Sequence, residues 1–133
     1  MLTLEDRIEI IELGAAFAAL LDQRRFPEVA VLFAQDGELH RADGSLVQGR
    51  EAIHAAQASR HESVHTVHHV SVPLIETAAG GAVTGRTNFV AVSVDMRDGS
   101  SQGWVIGHFE DRYRQDDGPW RFASRRIHIL HRR

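Results

Sequence analysis

Residues 64–75 read Val-His-Thr-Val-His-His-Val-Ser-Val-Pro-Leu-Ile, and this stretch decides between two folds. Together with the residues before it, it spells H-E-x-x-H from His61 to His65, which on a helix is the zinc-binding motif of metalloproteases. The many β-branched residues after Val64 favour a strand instead. A strand would place His65 and His69 on one face, and His61, which precedes the strand, would take no part in the site. We therefore predict no metal site from the motif, although metal binding by several histidines of one sheet stays open.

The rest of the C-terminal half also has the composition of strands. Turn-forming residues interrupt it as Ala-Ala-Gly-Gly, Arg-Asp-Gly-Ser-Ser and Asp-Asp-Gly-Pro. The segments between these turns predict strands at residues 64–76, 82–95, 102–115 and 120–130. Because the separators are short, we expect an antiparallel meander.

The N-terminal segment has the periodicity of a helix. Thr3 and Asp6 form a capping-box pattern, and an apolar line follows at spacings of three and four. The members of that line are Leu4, Ile8, Ile11, Ala15 and Ala18. The next position on it is Asp22, a charged residue where an apolar one is expected. Either Asp22 ends the helix and reaches water, or it points inward and needs a partner, for which a histidine is the obvious candidate.

Two further helices are predicted before the strands. One begins at Pro27 and ends at Gly37, and the other runs from Gly49 to about Arg60. Three N-terminal helices followed by long strands predict a single α+β domain over residues 1–133. The helices would pack on a strongly curved, mainly antiparallel sheet and enclose a cone-shaped cavity suited to a ligand.

Composition excludes several classes of function. The 133 residues carry a formal charge of −3, which gives no reason to expect a nucleic-acid partner. Charged residues interrupt every apolar run, so no membrane-spanning segment is predicted. The chain has no cysteine and no secretory signal pattern, which makes the cytoplasm the expected location.

The motifs taken together resemble a known family. They are Leu-Glu-Asp-Arg-x-Glu-Ile at 4–10, Phe17-x4-Asp22, Phe33, Gly-Arg-Glu-Ala-Ile at 49–53, His65-x3-His69, Gly-His-Phe-Glu-Asp at 107–111 and Trp-Arg-Phe-Ala-x-Arg-Arg at 120–126. Their order is similar to that of the SnoaL-like branch of the nuclear-transport-factor-2-like superfamily. Within it, the pattern is nearest to scytalone dehydratase, bile-acid dehydratase and hexachlorocyclohexane dehydrochlorinase relatives.

The resemblance implies a reaction and a catalytic pair. Asp22 and His65 match the aspartate and histidine of those enzymes, in which a carboxylate orients a histidine that acts as general base. The implied function is a dehydratase, isomerase or cyclase that needs no cofactor and acts on a small, largely apolar cyclic substrate. Phe17 replaces a tyrosine and His69 replaces an asparagine found in many relatives, so the groups that assist the reaction differ.

Further side chains are candidates for binding the substrate. They are Phe17, Phe33, His69, Asn88, Phe109, Arg126 and His128. Arg126 and His128 are included because Trp120 and Phe122 predict that their face of the last strand points to the core. Arg126 would then contact either the substrate or a structural carboxylate.

A noncatalytic module that binds a ligand or dimerises is the alternative function. The other sheet face has enough apolar residues to pair with a second copy, so a homodimer or higher homo-oligomer is expected. A ketosteroid-isomerase type of site would need inward carboxylates on the strands, for which only Glu110 or Asp111 could serve. An enzyme of the first type requires Asp22 and His65 within hydrogen-bond reach in a cavity.

Overall fold

The strands of the protein form one curved seven-stranded sheet on which three helices pack, as described over residues 1–133 by a computed structural model. The helices are α1 (Leu4–Asp22), α2 (Phe26–Val31) and α3 (Arg50–Ala58). The strands are β1 (Phe33–His40), β2 (Leu46–Gln48), β3 (Val64–Val70), β4 (Leu74–Thr77), β5 (Val83–Asp95), β6 (Ser100–Gln115) and β7 (Trp120–Arg132). Their order is β2-β1-β7-β6-β5-β3, with β4 also paired to β5. Only β1 and β7 run parallel, so the predicted α+β fold with a mainly antiparallel sheet is confirmed.

Helix α1 begins where the sequence predicts and ends at Asp22. Thr3 and Asp6 form both hydrogen bonds of the capping box, and the last helical residue is Asp22. The buried side chains are Ile10, Leu13, Phe17, Ala18 and Leu21, whereas Leu4 and Ile8 are exposed. Only Ala18 of the predicted apolar line is buried, so that line was wrong over most of its length. The line through Phe17 is buried instead, because its larger side chains remove more apolar surface from water.

The segment after α2 was predicted as helix up to Gly37 and is instead strand β1. It runs parallel to β7, with Phe33 opposite Phe122 and His40 opposite Arg126. This pairing joins residues far apart in sequence, and such tertiary contacts override the local helix signal. Gly37 lies at an irregularity in the strand, where a Cβ atom would approach the Ala34 carbonyl to 2.8 Å.

A β-bulge in β7 reverses the face predicted for its second half. Tyr113 pairs with Phe122 and Arg112 with Ser124, so Ala123 is an extra residue in β7. A bulge changes the alternation of side chains between the two faces. As a result Phe122 and Arg125 both point into the core, while Arg126 is exposed. The expectation that Arg126 lies at depth was wrong by one residue.

The core beneath α1 contains a buried ion pair surrounded by aromatic rings. Arg125, 1% exposed, donates from Nε to Oδ1 of Asp111 at 2.8 Å and from Nη2 to Oδ2 at 3.1 Å. Its guanidinium carbon lies 4.4, 3.8 and 4.5 Å from the ring centroids of Phe17, Phe109 and Phe122. These contacts make Arg125 part of the packing of the core as well as its charge balance.

The helices of this structure do not include one that is both long and apolar enough to cross a membrane.

Removing Arg125 should destabilise the fold strongly. Arg125→Met leaves the carboxylate of Asp111 buried without a cation, and breaking such a pair costs about 3–5 kcal/mol in the free energy of unfolding. Urea denaturation followed by circular dichroism measures this loss. The double variant Asp111→Leu/Arg125→Met, which removes both charges, should recover most of it.

Arg114→Met is the matched control for that experiment. Arg114 pairs with Asp36 and Asp116 at the surface, where ion pairs contribute about 0–1 kcal/mol. An Arg125→Met variant no less stable than Arg114→Met would contradict a structural role for the buried pair.

Candidate functional site

A small cavity lies between α1, the end of α3 and the concave face of the sheet. Its volume is about 140 Å³, and eight of its eleven lining residues are hydrophobic. The apolar walls are formed by Phe17, Leu21, Phe89, Ala91, Val105, Phe109, Ile127 and Ile129. The polar side chains are those of Gln57, Arg60 and His68. An apolar pocket with a few convergent polar groups is the usual form of a small-molecule site.

The His68 imidazole is held against the carboxylate of Asp22. Nδ1 of His68 lies 2.6 Å from Oδ1 of Asp22, and the side chains are 10% and 20% exposed. Because an ionised carboxylate can only accept hydrogen bonds, Nδ1 carries the proton in this contact. The other ring nitrogen, Nε2, has no hydrogen-bond partner in the protein, and the ring lines the cavity.

The carboxylate of Asp22 is itself fixed by strand β3. The His68 backbone N–H donates to Oδ2 at 2.8 Å, and the Thr66 hydroxyl donates to Oδ1 at 3.0 Å. Asp22 is thus the charged residue that the helical spacing placed on an apolar line. Its expected histidine partner is present, although it is a different histidine from the predicted one.

Arg24, which follows α1, connects the segments around the Asp22–His68 contact by hydrogen bonds. The Arg24 guanidinium donates to the carbonyl of Val64 at 2.6 Å and to that of Arg60 at 3.2 Å. It therefore links the end of α1 to the start of β3 and to the segment after α3. These bonds hold the strand that carries His68 against the helix that carries Asp22.

The predicted pairing of Asp22 with His65 was wrong. His65, Val67 and His69 point to the exposed face of β3, whereas Thr66 and His68 point inward. Both faces of this strand carry valine and histidine, and a shift of one residue exchanges them. The inward face also holds Val64 and Val70, and this greater β-branched content was the available signal for His68.

The other predicted binding residues divide between the two sides of the sheet. Phe17 and Phe109 line the cavity, and Phe33 packs behind Phe17 with ring centroids 6.2 Å apart. His69 and Asn88 line a separate groove of about 430 Å³ on the convex face. They do not reach the cavity, so their predicted place in the site was wrong.

Arg126 and His128 also lie on the convex side, because the bulge in β7 turns them outward. Arg126 lines a polar groove of about 470 Å³ there, and His128 contacts Glu110 at 3.3 Å. Neither side chain lines the cavity, which corrects their predicted role.

Two cavity residues were missed by sequence reasoning. Gln57, 6% exposed, lies four residues after the fully buried Ile53, on the inward face of α3. Arg60 follows three residues later and lines both the cavity and an adjoining pocket of about 300 Å³. The spacings of four and three residues from Ile53 to Gln57 and Arg60 were the available signal. They identify the inward face of α3 only when Ile53 is known to be buried.

The convex face also holds the one group whose ligand atoms are close enough to share a metal ion. His108, Glu110 and His128 have such atoms within 4.8 Å of one another, and the two imidazole rings stack at 4.6 Å. On both neighbouring strands the residue opposite Glu110 is an arginine, Arg86 or Arg126. The positive charge of these two arginines disfavours the binding of a divalent cation beside Glu110. The cluster is better described as a carboxylate that lies between basic side chains.

Comparison with known families and structures identifies relatives of the whole chain. The SnoaL-like domain family matches residues 2–126. A search of curated proteins found no match to the sequence.

Several solved structures share the fold at low sequence identity. A hexachlorocyclohexane dehydrochlorinase, LinA type 2, is 17% identical, with a TM-score of 0.85 over 98% of this chain and 88% of that one. A protein named provisionally as a scytalone dehydratase, from Novosphingobium aromaticivorans, is 22% identical, with a TM-score of 0.79 over 93% and 83%. A nuclear-transport-factor-2-like protein with a cystatin-like fold from the same species is 24% identical, with a TM-score of 0.74 over 96% and 83%. These likenesses establish the fold.

Asp22 should contribute to stability through the bonds that it accepts. Asp22→Ala removes a carboxylate that accepts from Thr66 and twice from His68, and hydrogen bonds to charged groups contribute about 1.5–3 kcal/mol each. We expect the free energy of unfolding to fall by about 2 kcal/mol or more in urea denaturation. Asp36→Ala, which breaks an exposed contact with Arg114, is the control and should change it far less, because solvent screens a surface ion pair. Equal stability of the two variants would contradict the anchoring role of Asp22.

Proposed function

We propose that this chain, which belongs to the SnoaL-like domain family, is an enzyme that removes a proton from a small cyclic substrate in the cavity. The reaction is an elimination, isomerisation or ring closure that follows proton abstraction next to an electron-withdrawing group. The observation that carries the proposal is the position of His68, whose ring lines an apolar cavity while Asp22 binds its Nδ1. The fold likeness to a dehydrochlorinase supports it, since that protein's name describes an elimination.

The His68–Asp22 contact supplies a general base. With the proton on Nδ1, the lone pair of Nε2 is free to accept a proton from a substrate C–H next to a carbonyl. The electron pair of that bond moves toward the carbonyl oxygen, and the resulting enolate can expel a hydroxyl group from the adjacent carbon. The proton on Nε2 then leaves with the hydroxyl as water. Asp22 stabilises the imidazolium that forms between the two steps.

The remaining side chains of the cavity determine which groups can assist the proposed reaction besides His68 and Asp22. Phe17 has no hydroxyl, so it contributes an apolar wall and cannot donate to a leaving group. His69 and Asn88, which the sequence predicted as substrate-binding residues, lie on the convex face and cannot donate to a developing oxyanion. Gln57 and Arg60 are the donors that share the cavity with His68.

Substitution of the two strand histidines tests the proposed base. Turnover of a panel of cyclic β-hydroxyketones is followed by the ultraviolet absorbance of the enone product. His68→Ala should lower kcat by about 10²–10⁴-fold, the usual contribution of a general base. His65→Ala, on the opposite face of the same strand, should leave the rate unchanged.

The opposite result, loss of activity in His65→Ala with retention in His68→Ala, would overturn the assignment. A panel in which no member loses water would favour the alternative, a noncatalytic ligand-binding module of the same fold.

We also propose that the convex face of the sheet forms a homodimer or higher homo-oligomer. Val67 and Val92 are register partners there, as are Val90 and Ile106, and all four side chains are exposed. Leu130, 81% exposed, lies beside this row on β7. A contiguous apolar patch on an otherwise charged surface is typical of a protein interface.

A charge in the middle of that patch should dissociate the assembly. Val92→Lys should reduce the mass measured by light scattering from a multiple of the chain mass to the chain mass, because the lysine would be desolvated at the interface. Val31→Lys on α2, where the side chain is also exposed, should leave the mass unchanged. A monomeric wild type, or an unchanged Val92→Lys oligomer, would contradict the interface.

A further inference from the structure

Arg60 is a cation at the cavity without a partner. Its guanidinium forms no salt bridge or hydrogen bond with the protein, although its carbonyl accepts a bond from Arg24. Arg60 lines both the cavity and the adjoining pocket, which places it where the two meet. A partly buried charge without a counter-ion is costly, which makes this position suited to an anion from outside the protein.

The surroundings of Arg60 strengthen this conclusion. The residues that line the two cavities include two arginines, Arg41 and Arg60, and not one carboxylate. Burial, together with the positive charge of Arg24 and against the attraction of Asp22, lowers the pKa of the Arg60 guanidinium. Asp22 is already engaged by Thr66 and His68. The lining of the two pockets therefore carries positive charge and no carboxylate that could pair with Arg60 directly.

The volumes of the two pockets that Arg60 lines limit the size of the ligand that can bind there. Apolar cavities of about 150 Å³ hold a benzene-sized ring. The cavity, at about 140 Å³, matches one six-membered ring, and the adjoining pocket of about 300 Å³ leaves room for a substituent. A ring in the cavity would lie against His68, with its substituent directed to Arg60.

From this arrangement we propose that the site selects a single-ring substrate that carries an anionic oxygen group, such as a carboxylate, which Arg60 binds where the cavity and the adjoining pocket meet. The inference deepens the proposed function, on which its description of the ligand as a substrate rests. Arginine suits this role because its planar guanidinium donates two parallel hydrogen bonds to a carboxylate. Gln57 lines the same two pockets, so its amide is a second donor available near Arg60.

Calorimetric titration with benzoate and with benzamide tests the proposal, because the two probes share a ring and differ in charge. Wild-type protein should bind benzoate roughly tenfold or more tightly than benzamide, the difference expected for hydrogen bonds to a charged group. Arg60→Gln should remove that preference, and Arg60→Lys should keep a large part of it. Arg112→Gln, which removes an exposed charge from the convex face, should leave the preference unchanged. Circular dichroism verifies that each variant is folded.

Equal binding of the two probes by the wild type, absence of saturable binding of either, or an Arg60→Gln variant that keeps the preference would overturn the proposal. His68→Ala separates it from the proposed function. That variant should lose turnover of hydroxyketones and still prefer benzoate, since the anion binds to Arg60. If His68→Ala keeps its turnover while Arg60→Gln loses the preference, the anion site stands and the catalytic assignment fails.

Discussion

The carboxylate of Asp22 joins the first helix to the strand on which the site is built. It accepts from the His68 backbone, from the Thr66 hydroxyl and from the His68 ring. The same contacts satisfy a charge at the end of a helix, fix the position of β3 and orient an imidazole towards the cavity. A charge removed from water is tolerated only when it is satisfied in this way, so the fold and the candidate chemistry depend on one group.

A second buried charge supports the other side of the cavity. Arg125 binds Asp111 and lies against the rings of Phe17 and Phe109, which are also walls of the cavity. The aromatic residues are therefore shared between the core and the site. A ligand in this cavity contacts side chains held by the packing of the core, and such rigid support is what a positioned base requires.

Periodicity and turn residues were sufficient to predict an α+β fold and the antiparallel strands of its C-terminal half, and they failed where one residue changes the face of a strand. Asp22 could be identified because it lies one helical turn after the buried Ala18, where an apolar residue is expected. His68 was missed in favour of His65 because both faces of β3 carry valine and histidine. Arg125 was missed in favour of Arg126 because the bulge at Ala123 is set by the pairing of β6 with β7, which neither strand shows alone. Strand β1 was read as helix for a similar reason, since only its pairing with β7 makes it a strand.

The protonation state of the His68 ring tests the central claim most directly. Nitrogen-15 NMR at pH 8 distinguishes the two neutral tautomers by the chemical shifts of the ring nitrogens and their couplings to the ring protons. A base bound by Asp22 and open to the cavity requires a proton on Nδ1 and an unprotonated Nε2. A His68 ring with its proton on Nε2, or an unchanged spectrum of that ring in Asp22→Asn, would contradict the account.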